Sequence, residues 1–177
     1  NILKTHGGST RYFIKKKDNL KYKIKKKVKK EILKERKYGL HRFDTYLSFS
    51  KRVRNSKKNL IKILNKLNSE NKKVIGYGAT AKSCTVLNYC KINEKNIRYF
   101  LDITPDKINK YLPGSKIRVK KYKKLSRKDA DVVFLGAWNF KKEILRKEKK
   151  FKKEGGKFLI HVPKVKLIWI IAKYIDL

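Results

Sequence analysis

The chain has 177 residues, 51 of them Lys or Arg and 14 Asp or Glu, for a formal charge of +37. Hydrophobic residues make up 40%, enough for a real core, and the length suits one domain, or one domain with a piece of another. The charge alone is the footprint of a nucleic-acid binder. However, the cations are overwhelmingly Lys, accompany abundant Asn, Ile and Tyr as in A/T-biased coding, and spread over nearly every segment, so no specific nucleic-acid role is expected.

In chain order, residues 1–14 read as a strand interrupted by Gly7 and Gly8, the tail of a domain lying mostly upstream. Glycines beside His6, Ser9 and Arg11 suggest close approach of a ligand; on a strand Ser9 and Arg11 share a face. Residues 15–72 read as a helical linker. Leu20, Ile24, Val28, Ile32 and Leu33 recur at three- and four-residue steps, which predicts an amphipathic helix over about 19–38 with Gly39 as its C-cap. Tyr46, Phe49, Val53, Leu60, Ile63, Leu64 and Leu67 mark a longer helix over about 41–68.

From residue 73 the pattern alternates. Strands are expected at 74–78, 97–102, 131–135 and 156–162, with a short one at 116–119. Helices are expected at 81–90 and 140–153. Strands alternating with helices imply a parallel sheet with right-handed crossovers. The expected fold is α/β, a Rossmann-like parallel sheet of about four or five strands with flanking helices over 73–165, followed by a C-terminal helix over 166–177. Ligands of such sheets sit beyond the carboxyl ends of the strands.

That edge carries the chemistry. In Val74-Ile75-Gly76-Tyr77-Gly78-Ala79-Thr80-Ala81-Lys82-Ser83 a β-branched run enters a Gly-x-Gly turn and leaves through small residues into a helix. Gly76 and Gly78 permit backbone angles and approaches that a Cβ would block. The N–H groups of the first helical turn favour an anion. Read as G-x-G-x-x-A, with Asp102 about 20 residues further on, the turn fits a dinucleotide fingerprint; equally, the glycines can serve strand–helix packing alone. Asp102 can accept from ribose hydroxyls or cap the turn that follows it. Trp138 and Asn139 can stack on and hydrogen-bond a base or sugar, or else pack in the crevice wall and cap the helix from Phe140. Tyr77, Lys82 and Asn88 complete the candidate substrate contacts, and His41 and His161 read as structural. No Ser/His/Asp triad, metal cluster, paired glycosidase acids or Walker-type lysine loop is legible.

Cys84 and Cys90 lack a partnering Cys or His cluster, which argues for a reducing, cytoplasmic setting and against structural zinc in this piece. No signal peptide is seen, and the apolar run Leu167-Ile168-Trp169-Ile170-Ile171-Ala172 is far short of the ~20 residues that cross a bilayer, so no membrane partner is expected. Met is absent even from position 1; a fragment or trimmed chain is expected.

Several blocks together resemble a known family. The stretch from Gly76 to Tyr89 is similar to the signature of the C-terminal domain of SAM-dependent sugar C-methyltransferases. His6-Gly7-Gly8-Ser9 with Arg11 resembles the closing strand of that family's SAM domain. Glu35, Gly39-Leu40, Tyr46 and Phe49 resemble its linker helices. Asp102, Pro105, Lys107 and Pro113-Gly114 resemble its second strand and loop, and Ala137-Trp138-Asn139 and Gly155-Gly156-Lys157-Phe158 complete the series. Ser83 stands where the family more often has Gly.

The resemblance implies an enzyme that methylates a carbon of a nucleotide-activated keto-deoxysugar. The carbon beside the ketone is deprotonated and the enolate attacks the SAM methyl. A zinc-binding domain, most of the SAM site and a catalytic Glu-His pair would lie upstream, so this chain alone is expected to be inactive, with no catalytic residue of its own. Its third domain would mimic a Rossmann fold and help close the nucleotide-sugar cleft. The remaining alternatives are an NAD(P)-binding Rossmann module and, behind it, a basic nucleic-acid-binding domain.

Overall fold

The computed structural model describes residues 2–3 and 8–169. Contacts within the chain define two units, 1–54 and 55–177.

In the first unit β1 (Ile2–Leu3) and β2 (Ser9–Thr10) pair antiparallel, Ile2 opposite Thr10 and Leu3 opposite Ser9. The expected single strand is thus a small hairpin. Helix α1 (Lys26–Lys37) starts later than the apolar spacing suggests. Upstream, the Asn19 side chain accepts from the Lys21 N–H at 3.0 Å, a local bond that competes with a helical turn. Lys34, Arg36 and Lys37 sit at the negative end of α1, and Gly39 follows at φ +73°, the left-handed position expected of a C-cap glycine. Helix α2 (Phe43–Ser69) runs from this unit into the next. Among the described residues of the first unit none is buried, and Leu20, Ile24, Val28, Ile32, Leu33, Tyr46 and Phe49 are all exposed.

The second unit is built on a six-stranded sheet. In chain order it contains β3 (Val74–Tyr77), α3 (Ala81–Cys90), β4 (Phe100–Asp102), β5 (Val119–Lys121), β6 (Val132–Leu135), α4 (Lys141–Lys147), α5 (Lys149–Lys153), β7 (Lys157–Ile160) and β8 (Lys166–Ile168). The order across the sheet is β5-β4-β3-β6-β7-β8, parallel throughout except for the last pair. Counted from β3 this is 3-2-1-4-5-6, the doubly wound arrangement, and the order reverses between β3 and β6. The strands are covered on both faces, which is why they read as unbroken apolar runs. Val74, Phe100, Val119, Val132, Phe134 and Leu159 bury one face with Leu60, Leu64 and Leu67 of α2 and Leu87 of α3. Ile75, Tyr77, Leu101, Val133, Leu135, Phe158 and Ile160 bury the other with Ile144 and Phe151.

Three expectations differ. The short third strand falls at Val119–Lys121 because residues 109–117 form their own ladder, with Asn109 N–H on Val119 O at 2.9 Å and Leu112 N–H on Ile117 O at 2.9 Å. The charged helix over 140–153 breaks at Glu148, whose carboxylate turns inward to accept from the Tyr122 hydroxyl at 2.7 Å and the Leu125 N–H at 3.2 Å. Lys166–Ile168, expected to open the C-terminal helix, form a strand instead. Leu167 packs toward one core face and Ile168 toward the other, a period of two, and the strand pairs with the outer edge of β7. The rest of that expected helix, from Ile170, lies outside the described residues.

Candidate functional site

The turn after β3 is set by contacts on both sides. A Cβ on Gly76 would stand 2.5 Å from the Phe100 ring, so the glycine lets that ring lie against the strand. Gly78 takes φ +86°, and a Cβ there would stand 2.5 Å from the Ala137 Cβ at the end of β6. Thr80 then caps α3 in a reciprocal box with Ser83: the Ser83 N–H donates to Thr80 Oγ1 at 3.1 Å and the Thr80 N–H to Ser83 Oγ at 3.4 Å. Ser83 is fully buried, and its hydroxyl also donates to Gly78 O at 2.8 Å. Ser83 therefore ties the turn to the helix.

Asp102, at the end of β4, is buried and aims its carboxylate at the same turn. One oxygen accepts from the Ala79 N–H at 2.7 Å and the other from the Thr104 N–H at 2.9 Å, and Lys107 Nζ lies 3.8 Å away. A carboxylate of the chain itself thus sits at the positive end of α3, where a doubly wound fold would receive an external anion.

Across the reversal, Lys82 Nζ lies 5.1 Å from the centre of the Trp138 ring, so these two candidates meet. Trp138–Phe140 form a single 3-10 turn. Asn139 lies inside that turn and does not cap α4, whose cap position is Phe140 with no side-chain bond. Tyr77 points into the second core face. Its ring meets that of Tyr122 edge-on at 5.6 Å, and burial, helped by the Glu148 charge, pushes its hydroxyl pKa up to about 12. Asn88 stands further along α3 and donates to Cys84 O at 2.9 Å and Pro113 O at 3.0 Å, holding the 113–116 loop against the helix. Ser9 is half-buried in β2 and Arg11 is exposed; His6 lies outside the described residues. His161, expected to be structural, is buried and stacked on Phe134 at 5.2 Å and 17°, with neither ring nitrogen hydrogen-bonded.

Between the first turn of α3 and the 105–113 loop lies a cavity of about 240 Å³. It is lined by Thr80, Cys84, Asp106, Lys107, Lys110 and Tyr111, among others. Thr80 and Cys84 were legible within the Gly76–Tyr89 stretch, and Lys107 as part of the family-like loop. Lys110 is one Lys among many, and Tyr111 carries no motif. The pair of buried Glu148 and half-buried Tyr122 was not legible, because its members lie 26 positions apart in a Lys-dense stretch. Among the described residues no group of three or more His, Cys, Asp or Glu is placed to hold a metal ion, and no helix is long and apolar enough to cross a membrane.

The doubly wound order does not by itself choose among ligands. The comparison with known sequences is more specific, because the profile of the C-methyltransferase C-terminal domain matches residues 4–163. The chain belongs to that family. It is 29% identical over 163 residues to the C-methyltransferase NovU of Streptomyces niveus, a match covering 92% of this chain and 39% of that protein. The chain therefore spans well under half the length of this relative. S-adenosylmethionine, the methyl donor that the family implies, does not fit the glycine turn of this domain. The Ala79 N–H and the Asp102 carboxylate, the groups that would meet such a ligand, are bonded to each other, and Gly78 abuts Ala137.

Proposed function

We propose that this chain is the substrate-side, C-terminal portion of a SAM-dependent C-methyltransferase acting on a nucleotide-activated deoxysugar. Its sheet module, 73–165, would wall the nucleotide-sugar cleft; the observation that carries this is the family match over 4–163. The geometry of the carboxyl edge is in keeping with it. The edge offers a cation beside an indole in Lys82 and Trp138, a cavity flanked by two lysines, and hydroxyl and amide groups. Groups of this kind serve binding in this reading, and none of them is assigned the proton transfer. General-base catalysis needs a group within hydrogen-bond reach of the proton removed from carbon. In this reading the base, the methyl donor and any zinc domain belong to parts of the enzyme outside this chain, in the cytoplasm. The upstream SAM domain would be the partner of the hairpin–helix unit, whose exposed apolar residues suit a covered face.

An NAD(P)-binding role loses its main support, since Asp102 is committed to Ala79 and Thr104. Calorimetric titration of the chain with thymidine diphosphate, NAD and a DNA duplex tests the reading. Saturable binding of thymidine diphosphate alone supports it. Tight NAD binding, with no response to thymidine diphosphate, would overturn it.

A further inference from the structure

Resting on that reading, we propose that the phosphate-bearing part of the substrate seats in the cavity between α3 and the 105–113 loop. Lys107 and Lys110 would lie on the phosphates and Tyr111 against the base, away from the reversal between β3 and β6.

The reversal is closed by the chain itself. Gly78 touches Ala137. A Cβ on Gly136 would overlap Ser83 Oγ and fall 2.5 Å from Gly78 O. The Ala79 N–H is held by Asp102. These contacts join the end of β3, the start of α3 and the end of β6 into packed structure, and a ligand there would have to part them.

The neighbouring cavity is open, and its outer wall is fixed before any ligand arrives. Asn109 N–H donates to Val119 O at 2.9 Å, Val119 N–H to Lys110 O at 2.8 Å and Leu112 N–H to Ile117 O at 2.9 Å, and Tyr111 bridges Arg118 antiparallel. Asn88 holds Pro113 from the helix side. The wall thus presents Lys110 and the exposed ring of Tyr111 on a backbone ladder, which lowers the ordering cost of binding.

Lys107 stands 3.8 Å from Asp102, beyond hydrogen-bond length, with its side chain partly exposed. It is held near the cavity and keeps its donors for another anion. Asp106, exposed on the same rim, supplies an acceptor for sugar hydroxyls. A volume of about 240 Å³ admits one nucleoside or sugar-phosphate moiety and is small for a dinucleotide. The lining is mostly apolar, and Lys107, Lys110 and Asp106 border it with Tyr111, so the cavity takes one moiety of a nucleoside diphosphate while the remainder lies along the charged rim.

The test is titration with thymidine diphosphate at about 150 mM salt, where surface charges are screened beyond ~8 Å. It compares the unaltered chain with Lys107→Gln/Lys110→Gln, Lys110→Gln alone, Tyr111→Ala and Trp138→Ala. Lys29→Gln/Lys30→Gln on α1 removes the same charge elsewhere. Unfolding curves for each variant confirm that it is folded, and Lys110→Gln, which leaves the Asp102 pairing intact, stands in if the double variant is not. The double variant is expected to lose roughly tenfold or more in affinity, Tyr111→Ala several-fold, and the α1 pair less than twofold. Equal losses from the two lysine pairs, or a larger loss from Trp138→Ala than from Tyr111→Ala, overturn the seat and leave the function reading standing. No binding by the unaltered chain overturns both.

Discussion

Gly78 and Gly155 hold nearly the same backbone angle, φ +86° and +85°, in different surroundings. An added Cβ at Gly155 meets nothing within 4 Å, so Gly155→Ala should cost only the left-handed conformation, about 1 kcal/mol. Gly78→Ala adds a clash with Ala137 and should cost about 2–4 kcal/mol. Urea unfolding of the pair checks this; equal losses would show that the turn yields and that the reversal is not tightly packed. His161 makes a second case. Burial lowers its pKa from 6.5 to about 4, so it is neutral when folded at pH 7. Between those values the unfolded chain binds the extra proton, and stability therefore rises with pH across the window and falls on acidification. The loss should approach about 3 kcal/mol by pH 4. His161→Phe should flatten that part of the stability–pH profile relative to the unaltered chain, while the acidic residues contribute equally to both.

The two halves of the helical region carry the same kind of leucine with opposite consequences. Leu64 of α2 is fully buried and Leu33 of α1 is 62% exposed. Leu64→Ala should cost about 2–5 kcal/mol and Leu33→Ala within about 0.5 kcal/mol in thermal unfolding of this chain. A comparable loss at Leu33 would mean that α1 is covered in solution. The spacing of apolar residues is the same in both helices, so it marks an amphipathic element without telling what covers it. Legibility followed that logic elsewhere. The strand–turn–helix from Val74 to Cys90 was readable because Gly76, Gly78 and Thr80 act on their immediate neighbours. The break at Glu148, the strand at Lys166–Ile168 and the closure of the reversal depend on partners such as Tyr122, β7 and Ala137, distant in sequence. Asp102 stood out in the sequence as either a ribose acceptor or a cap, and the structure has it accepting from the Ala79 and Thr104 N–H groups. Its partner, the Ala79 N–H 23 positions away, could not be read from spacing that served both a ribose and a capped turn.

For the whole molecule, a charge of +37 predicts weak, sequence-independent adhesion to polyanions. Retention on duplexes of unrelated sequence should be alike and should fall steeply with salt; a preference for one sequence that survives at high salt would point to a selected nucleic-acid site. The same cations distinguish the two margins of the sheet. On β5, Lys120 and Lys121 are exposed, charges that discourage another chain from adding a strand. At the other margin β8 covers β7, whose Phe158, Leu159 and Ile160 are all buried with only Lys157 exposed, and whose outer side is satisfied by Ile168, Leu167 and Lys166. The three residues of β8 therefore act as a solubility device. A chain ending at Lys164 should keep its helices yet expose a sticky apolar margin, and light scattering should detect growing assemblies that the longer chain does not form.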